Sequence, residues 1–107
     1  MRSTVFVVGL LALSSPAFGQ ALGSVHCKAS LRQIEVDLNA TQLRLDAVEL
    51  ADSAKKCSAQ RVRAVMLERA DQIYGRCLEG TERETKTRDA QSGAAALREK
   101  IAEGCNN

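Results

Sequence analysis

The chain has 107 residues, a formal net charge of +2 and only 3% aromatic residues. That length holds one small domain and is too short for a two-domain enzyme with a cleft between its halves. With 15 basic residues against 13 acidic ones, the charge is too balanced for a nucleic-acid footprint, which needs a basic stripe.

Residues 1–19 read MRSTVFVVGLLALSSPAFG. Arg2 supplies a positive start, Val5 to Leu13 form an uninterrupted apolar run, and Ser14, Ser15 and Pro16 break it. Ala17-Phe18-Gly19 then puts small residues at −3 and −1 of a cleavage site, which is the pattern of a secretory leader. The apolar run falls well short of the roughly 20 residues that a membrane-spanning helix needs, and no Cys stands at the cleavage point to take a lipid anchor. The sequence therefore predicts a cleaved signal peptide over 1–19 and a single helical domain over 20–107. The mature chain has no membrane span and is periplasmic or secreted. Cleavage removes Phe6 and Phe18 and leaves Tyr74 as the only aromatic residue. A core of Leu, Ile, Val and Ala alone buries little area per residue, so the domain is marginal. Four Cys in a short exported chain point to two disulfides.

The mature chain reads as all-α. It has no Pro and, between Gly23 and Gly75, no Gly. Strong helix formers dominate and no stretch alternates with period two. Helix 1 is expected to begin between Ser24 and Ser30, because Ser30-Leu31-Arg32-Gln33 has the form of a capping box. One apolar stripe on it comprises Leu31, Ile34, Leu38, Leu45 and Val48. A second comprises Val36, Ala40, Leu43, Ala47 and Leu50. At 100° per residue the two stripes lie roughly 160° apart. A surface helix needs only one such stripe, so helix 1 is expected to be sandwiched between its own bundle and something else.

Asp52-Ser53 is the expected break after helix 1, since both residues favour caps and turns; without it, residues 30–79 form one long helix. Helix 2 carries Val62, Val65, Met66, Ala70, Ile73 and Cys77. Gly80 suits the C′ position that ends it, and Thr81-Glu82-Arg83-Glu84 is a second capping box. Helix 3 presents Ala90, Ala94, Leu97 and Ile101. It reads as the weakest helix, with a polar start and Gly93 interrupting it, and Gly104 ends it.

The cysteine positions choose among these alternatives. Four Cys allow three pairings, and a disulfide needs Cα atoms within about 7 Å. If residues 27–57 formed one helix, its ends would lie about 45 Å apart, which forbids Cys27–Cys57. Pairing Cys57 with Cys77 needs a turn near residue 67, where nothing breaks a helix. A turn at Asp52 sets Cys27 level with Cys77, and a turn at Gly80 sets Cys57 nearly level with Cys105. The expected architecture is a small up-down-up three-helix bundle stapled by Cys27–Cys77 and Cys57–Cys105. A helical hairpin is the alternative. Each bridge closes a loop of about 50 residues, worth roughly 4 kcal/mol in the chain-entropy model.

No constellation in the sequence carries chemistry. His26-Cys27 adjoins two soft ligands but lacks metal-site spacing, and an exported Cys is expected to be oxidised; no metal or cofactor is expected. The single His has no partner to orient it as a catalytic base. Glu82 and Glu84 lie on a polar helix start, where charge is simply solvated. Lys55-Lys56…Arg61-Arg63 is a mild basic cluster after an acidic stretch and reads as a solvated face. Asn39-Ala40-Thr41 is a formal glycosylation sequon in mid-helix. No enzyme is expected.

Asp37-Leu38-Asn39, and Gln72 ahead of Arg76-Cys77, resemble two stretches of the LprI-type lysozyme inhibitors, although the Trp of the second stretch is absent. That resemblance implies a periplasmic inhibitor. From the residues themselves the expectation is broader: a protein that works by protein–protein binding as an inhibitor, immunity protein, adaptor or chaperone-like factor. Val36, Leu43 and Leu50 are its candidate interface. The rival expectation is a structural protein that self-associates through the same stripe.

Overall fold

A computed structural model describes residues 25–105 in full and residues 2–24 as helical backbone alone. The leader expected over residues 1–19 lies outside the fully described residues. The fold is three helices, α1 (Arg2–Ala47), α2 (Ser53–Cys77) and α3 (Gly80–Gly104), joined by two short turns. The up-down-up order and both disulfides are as the sequence predicts: Cys27 is bonded to Cys77 and Cys57 to Cys105. The single long helix over 30–79 does not form.

The first turn has the expected cap. The Asp52 carboxylate accepts a hydrogen bond from the Lys55 backbone N–H at 3.0 Å, satisfying one of the donors that a helix start leaves unpaired. Neither expected capping box forms. Ser30 lies inside α1, and Gln33 donates to Asp37 instead of reaching back. At the second turn the cap position belongs to Glu79, two residues before Thr81, and it makes no side-chain cap bond. Gly80 makes that turn with a φ of 61°, a conformation that costs a residue with a Cβ.

The helix α2 is central. Both α1 and α3 pack on it, while the backbones of α1 and α3 stay apart among the described residues. The α2–α3 seam is lined by small residues: Ala64 and Ala70 face Ala90 and Ala94. Gly93 does not interrupt α3. A Cβ there would stand 3.1 Å from Leu67 Cδ1, so glycine makes room for the Leu67 side chain. Two core clusters result. One gathers Ile34, Ala70, Ile73, Tyr74 and Ala90; the other gathers Ala64, Leu67, Ala94 and Leu97. Leu38 packs against both. Ile34, 1% exposed, is the one large aliphatic side chain completely enclosed among the described residues. Val65, expected in the core, is exposed instead, and Ala59, Leu67 and Tyr74 take its place on α2. The first stripe of α1 faces this core. Leu31, Leu38 and Leu45 are only half-buried, because α2 and α3 cover it incompletely, and Val48, expected on this stripe, falls in the turn after Ala47.

Candidate interaction surface

The second stripe of α1 faces away from both other helices. Val36 is 58% exposed and Leu43 is 61% exposed. Ala40 and Ala47 on the same face are exposed as well. Val25, three helical turns toward the N-terminus, extends the stripe and is also exposed; at 100° per residue it lies within about 20° of Val36. The sequence stripe began at Val36 and missed it. Leu50 has a different setting from the one expected. Helix α1 ends at Ala47, so Leu50 sits in the turn to α2, where its side chain is 99% exposed. It flanks the helical stripe and is not part of it.

Charged side chains border this stripe. On the edge nearer α3 lie Glu35, paired with Lys86, and Lys28, Arg32 and Asp46 without an ion partner among the described residues; on the edge nearer α2 lie Asp37 and Arg44, also without one. Asp37 and Asp46 each accept one hydrogen bond from a neutral amide a turn away, from Gln33 and Gln42. Arg44 reaches only the Ser58 hydroxyl, at 3.5 Å.

The opposite side of α1 opens on a shallow groove of about 540 Å³ between α1 and α3, floored by Leu38, Leu67 and Leu97. A polar tie crosses it. Lys86 of α3 lies 3.7 Å from the Glu35 carboxylate of α1 and 5.6 Å from the centre of the Tyr74 ring. Burial pushes the Tyr74 hydroxyl above its usual pKa, and the neighbouring Glu35 carboxylate adds to the rise. These contacts add a polar link among three helices that the Ile34, Ala70, Ile73, Tyr74 and Ala90 cluster already joins. On the outer face, Arg98 donates twice to Glu68, at 2.8 and 3.1 Å, and these bonds lower the Glu68 pKa.

The remaining sequence candidates are dispersed. Cys27 is taken up by its bond to Cys77 and His26 is exposed beside it; the described residues contain no cluster of three metal-ligating side chains. The basic run does not act as one patch. Arg63 turns inward to the Leu38 carbonyl at 2.8 Å and the Thr41 hydroxyl at 3.0 Å, and Arg61 donates to the Cys105 carbonyl at 3.2 Å. Thr41 is itself buried. Asp37 and Arg76 line one small cleft between α1 and α2, while Gln72 is exposed outside it. No helix among the described residues is long and apolar enough to cross a membrane. No protein-family model, curated protein or solved structure matches the chain.

Proposed function

We propose that this is an exported helical protein that works by binding another protein chain through the outward stripe of α1, with Val36 and Leu43 as its contacts. The observation that supports this reading is their exposure on the face turned away from the core. A helix folded only for its own bundle needs one apolar stripe, and burying large aliphatic side chains against a partner recovers the hydrophobic free energy they leave unused in water. The two disulfides are compatible with an oxidising extracellular or periplasmic setting. The reading assigns the chain no catalytic step.

The test is a pair of measurements on Leu43→Asp. Its thermal melt is expected to match the wild-type melt, and wild-type protein but not the variant is expected to retain its partner from the native envelope fraction. A variant that no longer folds would make the stripe ordinary core and remove the basis of the proposal. Intact mass of the exported protein tests the leader: a chain still carrying Met1–Gly19 contradicts export by cleavage.

A further inference from the structure

The charges that border the stripe identify what covers it. We infer that the partner is a second copy of this chain, docked with its α1 antiparallel to the first; this rests on the outward stripe of α1 being a binding surface. From Val25 to Ala47 the stripe runs about 33 Å along the helix, and its C-terminal half has large and small apolar residues in alternation: Val36, Ala40, Leu43 and Ala47. In an antiparallel pair related by a two-fold axis, each edge of a helix meets the same edge of its twin, running the other way. The edge nearer α3 is basic at its N-terminal end, with Lys28 and Arg32, and acidic at its C-terminal end, with Asp46; Glu35 between them is engaged by Lys86 of its own chain. Reversal brings Lys28 and Arg32 toward the twin's Asp46. The edge nearer α2 has the opposite order, Asp37 and then Arg44, and reversal brings these together too. Both edges are self-complementary under one symmetry operation. Apart from Glu35, all five side chains are free to pair, because none has an ion partner within the chain among the described residues. A parallel pair would instead set each edge against the opposite one. It would place Arg32 near the twin's Asp37 and leave Asp46 without a cation.

The experiment is light scattering and sedimentation of the oxidised protein over a concentration series, with charge-reversed variants. Wild type is expected to dimerise as concentration rises, and Leu43→Asp is expected to stay monomeric with unchanged helicity. Arg32→Asp and Asp46→Arg are each expected to weaken the dimer about tenfold, since symmetry uses each pair twice, and the double variant is expected to restore it. A double variant as weak as either single one overturns the antiparallel arrangement. Wild type that remains monomeric while still retaining an envelope protein overturns self-docking and leaves the binding function standing. Should Leu43→Asp fail to fold, the milder double variant Val36→Ser/Leu43→Ser decides. Folded and monomeric, it supports the inference; unfolded, it sinks both the inference and the binding function.

Discussion

At the residue scale, two large aliphatic positions on α1 have very different expected costs. Ile34 is fully enclosed, so Ile34→Ala is expected to destabilise by about 2–5 kcal/mol through lost transfer and a cavity. Leu43→Ala removes atoms that already face water and should shift stability by less than about 0.5 kcal/mol. Urea titrations of the two variants check the contrast. Tyr74 gives a second residue-level test. Its folded pKa is raised, so the neutral phenol contributes stability that is fully present below the ordinary tyrosine pKa and is lost as pH rises through the folded one. Since the chain has one Tyr and no Trp, an ultraviolet titration reads this group alone. The midpoint is expected above that of free tyrosine, and Tyr74→Phe should flatten the matching part of the alkaline stability profile. A midpoint at or below the free value would contradict the burial of the hydroxyl. Tyr74 is also a core residue that the sequence pattern left out. It falls beside the apolar positions read on helix 2, and its burial follows from Ile34 of α1 and Ala90 of α3, which pack with it in one cluster.

At the element scale, the turns and the small-residue seam set the geometry. Asp52→Ala is expected to cost about 1 kcal/mol by leaving the first-turn donors of α2 uncapped. Gly80→Ala forces a Cβ into a positive φ and is expected to cost about 1–2 kcal/mol. Gly93→Leu should cost about 1–3 kcal/mol, because the added side chain drives into Leu67 against a close-packed seam; chemical denaturation measures all three. A Gly93→Leu protein as stable as wild type would mean that α3 can slide away from α2. Turn chemistry marked the starts of α2 and α3 within one residue but not the end of α1, which stops at Ala47, ahead of the expected break at Asp52. The capping boxes at Ser30 and Thr81 did not form because the pattern is short and local. Helix α1 continues through Ser30, and at the second turn Gly80 supplies the change of direction one residue before Thr81.

For the whole molecule, stability rests on a thin core and two long-loop bridges. Among the described residues only one large aliphatic side chain is completely enclosed, and much of the interior is alanine. Each disulfide spans about 50 residues and is worth roughly 4 kcal/mol in the chain-entropy model, a large share of what so small a core provides. Cys57→Ser/Cys105→Ser is therefore expected to be largely unfolded at moderate temperature by circular dichroism, and a cooperative fold with a wild-type melting temperature would refute that account. Peptide mapping without reduction checks the pairing independently.

The sequence by itself determined the helical class, the up-down-up order and the cysteine pairing. Each follows from one-dimensional quantities: helix propensity along the chain, the positions of turn residues, and a rise per residue that makes only one pairing level. It also marked Val36 and Leu43 as a second face, since angle around a helix is arithmetic on residue number. Only the tertiary structure decided that this face is the uncovered one. That outcome depends on where α2 and α3 lie around α1, and the small residues at Ala64, Ala70, Ala90, Gly93 and Ala94 draw α3 onto α2 instead of around α1. The same packing took Leu50 off the helix, turned Arg63 inward to the Leu38 carbonyl and enclosed Tyr74, because side-chain surroundings are set by neighbours distant in sequence.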